Sequence, residues 1–355
     1  MLKIDSEQSP RMNSKLGLLC SIAALSGLLG CGGGNTGAAS TTSASVTVAE
    51  LPASFLCDES AAFEKAEKIV VDSTQLEVQF PRTQTVAFET WPVRIDGSVF
   101  RLNVRISTPK PGTLIRGVWL YAHGIANYSA VPKENMDFDS VHESRATSLG
   151  YITMSVARRG NFGSDGAPGS PNYSTYLAQY RSRQISYSQF DDLLWGYHAD
   201  SVIAAIDYMK TDGRIAPYLD TIVLTGFSGG AETLLYAAAK SPIFAAARSK
   251  AMIRGAGRDS AFDTNPEAAL GNNESMARLA SAPGMVPALW YAGTVDPITS
   301  AGKLACAFGF YNSANGIGSK LAFLSGMGHG GAQMSSAAFQ NTVTGYLRSR
   351  SMQGF

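Results

Sequence analysis

From residue 115 onward, short apolar runs alternate with segments of helical periodicity, and this alternation constrains the fold more than any other feature of the chain. Strands that alternate with helices build a parallel sheet, and the near-continuous apolar character of the runs indicates that helices cover both of its faces. The predicted strands are 115–122, 150–157, 221–226, 251–255, 288–293 and 320–325, after two β-rich runs at 76–80 and 99–107. The predicted helices are 140–149, 190–210, 229–239, 299–310 and 333–348.

The length and composition suffice for one large folded domain or two ordinary ones. Of its 355 residues, 45% are hydrophobic and 16% are charged, so the chain can bury a sizeable core. A formal net charge of +1 provides no basic surface for nucleic acid. Neither an internal repeat nor a long proline-rich linker divides residues 53–355, and we therefore expect a single domain there.

The N-terminal segment has the pattern of an export signal. Basic residues precede the apolar run 16–29, which is shorter than the about 20 residues that span a bilayer. The Leu-Leu-Gly-Cys sequence that ends at Cys31 resembles the lipobox of bacterial lipoproteins, in which the cysteine is lipidated and becomes the new N-terminus. We expect a signal peptide at 1–30, a flexible tether at 31–52 and the folded domain at 53–355, with an ordinary secretory signal as the alternative.

The resemblance to lipoproteins also implies that the protein is exported, and export bears on whether its cysteines form a disulfide bond. Gly32, rather than Asp, after Cys31 resembles lipoproteins that are sorted to an outer membrane. We therefore expect an exported protein, anchored by lipid at the bacterial cell envelope. In that oxidising space Cys57 and Cys306 are candidates for a disulfide bond, with two buried free thiols as the alternative.

One short motif carries the clearest chemical signal. The sequence Gly-Phe-Ser-Gly-Gly at 226–230 lies between the predicted strand 221–226 and the predicted helix 229–239. A serine in such a strand-turn-helix junction adopts a strained backbone and exposes its hydroxyl at the positive end of the helix. We predict Ser228 as a nucleophile, with a plain turn serine as the alternative, and expect the glycines to allow strand and helix to approach closely.

A serine nucleophile needs a general base and a carboxylate that orients it. Among the four histidines, His329 lies in a glycine-rich loop directly after the last predicted strand, which makes it the candidate base. Asp296 follows the strand 288–293 and is the candidate acid. Asp259 is its competitor, and capping of the next helix is the other role open to Asp296.

In these residues and their order along the chain, the protein resembles the α/β-hydrolase superfamily. The resemblance covers about residues 75–350. It implies an α/β-hydrolase fold with a mostly parallel, eight-stranded sheet, helices on both faces and no large cap domain. It also implies an oxyanion hole formed by the backbone N–H groups of Gly229 and Ile125, with Ala126 as a second choice for the latter.

The resemblance implies a serine hydrolase that cleaves carboxylic esters through an acyl-enzyme. A serine exopeptidase of the same fold and a non-catalytic, lipid-anchored binding protein are the alternatives. The mechanism requires no cofactor, and the sequence has no motif for a metal site or a phosphate-binding loop. The expected partners are a small-molecule or polymeric ester and, through the lipid, a membrane, but no nucleic acid and no other protein.

Two groups of residues near the predicted strand 150–157 have two interpretations each. Arg158 and Arg159 would bind a carboxylate or, more commonly, lie in solvent. The tyrosines of the following loop would line a substrate groove or, more commonly, pack the loop against the domain. These tyrosines are Tyr173, Tyr176, Tyr180 and Tyr187.

Overall fold

A mostly parallel sheet forms the centre of the structure, a computed structural model that describes residues 53–70, 84–124, 128–136, 140–167, 172–257, 266–315, 318–329 and 336–355. These residues all belong to one compact unit. Among them the strands are β1 (Glu67–Ile69), β2 (Thr85–Ile95), β3 (Ser98–Thr108), β4 (Gly117–Ala122), β5 (Tyr151–Val156), β6 (Thr221–Phe227), β7 (Ser249–Gly255), β8 (Ala288–Gly293) and β9 (Lys320–Leu324). Their order across the sheet is β1-β9-β8-β7-β6-β4-β5-β3-β2.

The described residues form nine strands rather than the eight expected, while the mostly parallel arrangement is confirmed. Strand β3 corresponds to the prediction at 99–107, and β4 to β9 correspond to the apolar runs that follow it. Only the pairings of β2 with β3 and of β3 with β5 are antiparallel. The predicted strand 76–80 lies outside the described residues.

The two unpredicted strands, β1 and β2, have different physical causes. Strand β1 has three residues, too few for a periodic pattern, and it forms because it pairs with β9. Strand β2 forms a hairpin with β3 through Asp96 and Gly97, which have φ values of 49° and 79°. Two positive φ values in an Asp-Gly pair are typical of a type I′ hairpin turn, so this strand had a local sequence signal.

Helices lie on both faces of the sheet. In the described parts of the chain they are α1 (Glu59–Lys65), α2 (Ser140–Ser148), α3 (Tyr173–Arg181), α4 (Tyr187–Met209), α5 (Gly229–Lys240), α6 (Pro242–Ala246), α7 (Pro266–Ala280), α8 (Ala301–Asn315) and α9 (Ala337–Ser349). Trp290 and Tyr291 are consecutive in β8 and therefore point to opposite faces. Trp290 packs against Tyr311 of α8, whereas Tyr291 packs against Phe339 of α9. No described helix has both the length and the apolar character needed to cross a membrane.

The strand order places a crevice at the carboxyl ends of β4 and β6. The chain passes from β4 to β5 on one side of it, then returns to β6 on its other side. In open α/β sheets, ligands bind outside the carboxyl ends of strands at such a reversal. The loops after these two strands are therefore expected to form part of a functional site.

The N-terminal arm, residues 53–70, is attached at the border of the sheet formed by β1, which pairs with β9. A disulfide bond joins Cys57 to Cys306 of α8, with their Cα atoms 5.9 Å apart. Of the two expectations for these cysteines, the structure therefore has the disulfide bond and not the two free thiols. Helix α1 packs against α8, and the ring of Phe63 lies 4.9 Å from that of Phe323 in β9. The arm therefore holds α8 and β9, the two elements that follow β8 along the chain.

Two stretches without a predicted strand or long helix, 159–189 and 258–285, contain helices. Helix α3 lies within the first, and in the second the sequence has only a short helical pattern near 266–270, where the structure has the 15 residues of α7. Gly271 in α7 shows why the pattern was weak. A Cβ atom there would lie 2.7 Å from Cβ of Tyr187 in α4, so close packing of two helices requires a residue of low helix propensity.

Candidate active site

Ser228 occupies a sharp junction between β6 and α5. Its backbone has φ 55° and ψ −132°, a combination that residues with a side chain rarely adopt. A Cβ atom on Gly226 would lie 2.5 Å from the carbonyl oxygen of Gly230, and a Cβ atom on Gly230 would lie 2.0 Å from that of Ala122 in β4. The predicted close approach of strand and helix at these glycines is confirmed.

His329 and Asp296 come together at the ends of β9 and β8. Nδ1 of His329 lies 2.7 Å from Oδ2 of Asp296, whose side chain is fully buried, while 15% of the His329 side chain is exposed. The other carboxylate oxygen, Oδ1, accepts hydrogen bonds from the N–H groups of Ile298 at 2.8 Å and Thr299 at 2.9 Å. Asp296 therefore closes a turn that precedes α8 and faces the imidazole at the same time. Helix α8 begins only at Ala301, so Asp296 does not cap it.

Burial and hydrogen bonding have opposite effects on this carboxylate. Burial by itself would raise the pKa of Asp296, but the hydrogen bond with His329 and those from Thr299 and Ile298 outweigh it. The net pKa lies below its usual value. Asp296 is therefore an anion at neutral pH, as a group that orients and stabilises an imidazolium must be.

Hydrogen bonds between the loop after β8, which bears Asp296, and the loop after β9, which bears His329, hold this pair in place. The N–H of Val295 donates to the carbonyl of Met327 at 3.0 Å, and the N–H of Gly326 donates to Oγ1 of Thr294 at 2.8 Å. A Cβ atom on Gly293 would lie 2.0 Å from the carbonyl oxygen of Met327, so the end of β8 directly touches the loop that bears the histidine.

Phe227, which precedes the serine, connects the junction to the histidine. Its ring centroid is 4.7 Å from that of His329 and 6.2 Å from that of Tyr291. Ser228 after β6 and the His329–Asp296 pair after β9 and β8 therefore lie at the same edge of the sheet, the one formed by the carboxyl ends of these strands. Sequence reasoning missed Phe227 because the second position of this motif accepts many residue types.

The loop after β4 approaches the serine from the other side. A Cβ atom on Gly124 would lie 3.4 Å from Cβ and 3.9 Å from Oγ of Ser228, so the backbone of this loop is in contact with the serine side chain. Gly229 begins α5, and the first N–H groups of a helix have no acceptor within it. The other predicted residues, Ile125, Ala126, Asp259 and Cys31, lie outside the described residues.

The expectation that Arg158 and Arg159 lie in solvent is wrong, because both follow β5 directly into the interior of the domain. Arg159 binds a carboxylate, that of Asp200, at 3.5 Å and also donates to the carbonyl of Tyr197 at 2.8 Å. Only 1% of Arg158 is exposed, and it binds neutral groups near Ser228. A basic residue directly after a buried strand was the one sequence signal for this position.

The tyrosines of the loop after β5 pack against the domain. Tyr180 and Tyr187 are buried, and their rings lie 5.9 and 5.8 Å from that of Phe190 in α4. Tyr173 and Tyr176 are only partly buried against the same core.

The described residues contain no group of three or more His, Cys, Asp or Glu side chains that would hold a metal ion.

Comparison with known proteins relates this arrangement to hydrolases. No protein-family model matches the sequence, and no curated protein matches it. Among solved structures, the dipeptidyl peptidase 4 of Porphyromonas gingivalis is 17% identical with a TM-score of 0.52, and the match covers 76% of this chain but only 36% of that one. An esterase from Pyrococcus furiosus is 11% identical with a TM-score of 0.50, and the match covers 80% of this chain and 99% of that one. The chain has the α/β-hydrolase fold, as the sequence predicted.

Proposed function

We propose that this chain is a serine hydrolase that cleaves carboxylic esters. The observation that carries the proposal is the hydrogen bond between His329 and the buried Asp296, at the edge of the sheet where Ser228 stands on a strained turn. A nucleophile on a strained turn and a histidine oriented by a buried carboxylate are the parts that acyl transfer requires.

In the proposed mechanism, Oγ of Ser228 attacks the ester carbonyl and His329 accepts its proton. The carbonyl oxygen becomes an oxyanion that the N–H groups of Gly229 and Ile125 would bind. The tetrahedral intermediate collapses when His329 returns the proton to the departing alcohol, and a water molecule then releases the acid by the same steps. Asp296 holds the imidazole in the required tautomer and stabilises its charge.

An ester is the preferred substrate class over a peptide. The Pyrococcus furiosus esterase matches this chain over 99% of its own length, whereas the dipeptidyl peptidase matches over 36% of its length. The match over nearly the whole length of the esterase favours the ester class. Esters are also chemically easier to cleave than amides.

We further propose that the protein is exported and anchored by lipid at Cys31. The disulfide between Cys57 and Cys306 supports export, because such bonds persist in oxidising compartments. Mass spectrometry of the protein purified from a bacterial envelope tests the anchor: a diacylated Cys31 at the N-terminus is expected, and an unmodified N-terminus would contradict it.

The enzyme proposal is tested by covalent labelling with a fluorophosphonate and by kinetics. Wild-type protein should label at Ser228, and Ser228→Ala should abolish labelling and lower turnover by about 10⁶-fold. Ser182→Ala, at an exposed serine, is the matched control and should leave both unchanged. Faster turnover of p-nitrophenyl esters than of aminoacyl anilides supports an esterase, and the reverse order supports an exopeptidase. A protein that does not label is a binding protein.

A further inference from the structure

Arg158 lies buried between two segments that flank Ser228. It follows β5, is 1% exposed, and donates hydrogen bonds to neutral acceptors in the described part of the chain. Burial lowers its pKa to about 10, so it remains a cation at neutral pH. Placing a cation among neutral groups opposes folding, because its charge loses hydration without a counter-ion. Such a residue calls for a functional explanation.

The first segment that Arg158 holds is the loop after β4. Its Nη2 donates to the carbonyl of Gly124 at 2.6 Å, and Nδ1 of His123 contacts the same oxygen at 2.9 Å. The imidazole of His123 also packs directly on the guanidinium, with Nε2 at 3.4 Å from Nε and Nδ1 at 3.1 Å from Nη2 of Arg158. Burial and then the charge of Arg158 lower the pKa of His123 well below its usual value, so the ring is neutral beside the guanidinium.

The second segment is the start of α5. Nη1 of Arg158 donates to Oγ1 of Thr233 at 3.0 Å, and this hydroxyl donates to the carbonyl of Gly229 at 2.8 Å. The guanidinium therefore connects the loop after β4 to the first turn of α5, and Ser228 stands between them. A planar fork with two separate arms is suited to hold two backbone segments at a fixed separation.

We propose that Arg158 is a positioning residue that sets the geometry of the oxyanion hole by holding Gly124 and, through Thr233, Gly229. Gly124 begins the loop that is expected to supply one oxyanion donor, so holding its carbonyl holds the start of that loop against Ser228. This inference rests on the proposed function, because it assigns Arg158 a role in the same reaction. Arg158 does not contact the substrate; it acts through the backbone groups that do.

The experiment compares three variants that affect this connection differently. Arg158→Met removes both arms, Thr233→Val removes only the arm to α5, and Arg159→Met is the matched control. Arg159 is a buried neighbour that binds Asp200 and Tyr197 and takes no part in the connection. For each variant we would measure kcat and KM for p-nitrophenyl acetate, the inhibition constant of a trifluoromethyl ketone, and the melting temperature.

The inhibition constant of the ketone measures directly how well the oxyanion hole binds an anion. Oγ of Ser228 would add to its carbonyl while His329 takes the proton, and the carbonyl oxygen would remain as an anion in the hole. A displacement of about 1 Å at a catalytic group costs about 10²-fold in rate. We expect Arg158→Met to lower kcat and weaken ketone binding by about 10²-fold each, with little change in KM, and Thr233→Val to give smaller losses in both.

A merely structural arginine would give a different pattern. If Arg158→Met and Arg159→Met lower the melting temperature alike and leave kcat and ketone binding near wild type, the proposal is overturned. Should Arg158→Met not fold, Thr233→Val decides: parallel losses in kcat and ketone affinity support the proposal, and wild-type values overturn it. Failure of the proposed function is distinguishable, since the wild type itself would then neither hydrolyse the ester nor bind the ketone.

Discussion

Asp296 illustrates how a single residue serves two needs at once. One carboxylate oxygen accepts two backbone N–H groups at the turn into α8, and the other faces His329. The turn holds the carboxylate rigidly, so the imidazole receives a fixed direction. Helix capping is then left to Ser300, whose Oγ accepts from the N–H of Lys303 at 3.4 Å.

The lowered pKa of Asp296 predicts how stability depends on pH. A carboxylate whose pKa is depressed by folding contributes stability above the pKa of the unfolded chain, about 3.9, and loses it as pH falls through the folded value. The difference in unfolding free energy between wild type and Asp296→Asn should therefore be constant near neutrality and shrink below about pH 4. Urea denaturation at a series of pH values measures it.

Asp207 provides a control in which stability should depend on pH in the opposite direction. Burial raises the pKa of this residue, so its ionised form opposes folding and wild type should gain stability relative to Asp207→Asn as pH falls. Equal pH dependence in the two variants would contradict the assignment of the hydrogen bonds around Asp296.

At the scale of single residues, the sequence nominated Ser228, Asp296 and His329 because their positions after strands and their order form a pattern, and the structure places His329 beside Asp296. It did not identify Arg158. Whether an arginine after a strand enters solvent or the interior depends on the neighbouring loop and helix, here Gly124 and Thr233, and no local pattern encodes that choice. The same limit applies to Phe227, whose contact with His329 is made across the sheet.

Among the contacts between helices and strands, the one between α5 and β4 leaves the least room for a side chain. Gly230 on the helix lies so close to the end of the strand that a Cβ atom would overlap the carbonyl oxygens of Ala122 and His123. Because both obstacles are backbone atoms, neither can move aside without a shift of a whole element. The motif glycine is thus a packing requirement between helix and strand as well as a feature of the turn.

We predict that Gly230→Ala destabilises the domain by about 3 kcal/mol, the upper range for overpacking, and lowers the proposed hydrolase activity through displacement of α5. Gly213→Ala is the control, since no atom lies within 4 Å of a Cβ atom there and its φ is not in the left-handed region. It should change stability by less than about 1 kcal/mol. Urea denaturation measures the free energy of unfolding of both variants. Equal values for the two would contradict the packing derived for Gly230.

The elements were predictable where burial produced a strong pattern. Strands β4 to β9 are almost fully buried, and their apolar runs appear directly in the sequence. Strand β1 and helices α3 and α7 were missed or shortened because they depend on partners distant in sequence. For α7 the partner is α4, where Tyr187 packs against Gly271.

For the whole molecule, the disulfide is the longest-range constraint. Cys57 and Cys306 are separated by 249 positions, so the bond links the start of the domain to its last third. Local sequence could nominate the pair by elimination but could not establish that the two residues meet. Their proximity follows from the pairing of β1 with β9 and the packing of α1 on α8.

Loss of this bond should affect stability rather than chemistry. Cys57→Ser should lower the free energy of unfolding by about 2–5 kcal/mol, because the unfolded chain regains the freedom that a long closed loop removes. Steady-state rates should remain near wild type below the melting transition. Cys306→Ser and the double variant should match Cys57→Ser in calorimetry, and equal melting temperatures with and without reductant in wild type would rule out the bond.

The two borders of the sheet have a consequence for behaviour in concentrated solution. One border is the three-residue β1, with the charged Glu67 and Lys68. The other is β2, where the exposed Pro92 removes a donor and the exposed Arg94 adds charge. Among the described residues, these features interrupt the uncharged row of backbone groups that each border would offer to a neighbouring molecule, which is one way in which natural β-proteins avoid edge-to-edge aggregation. The folded protein should thus resist fibril growth even when many copies crowd together.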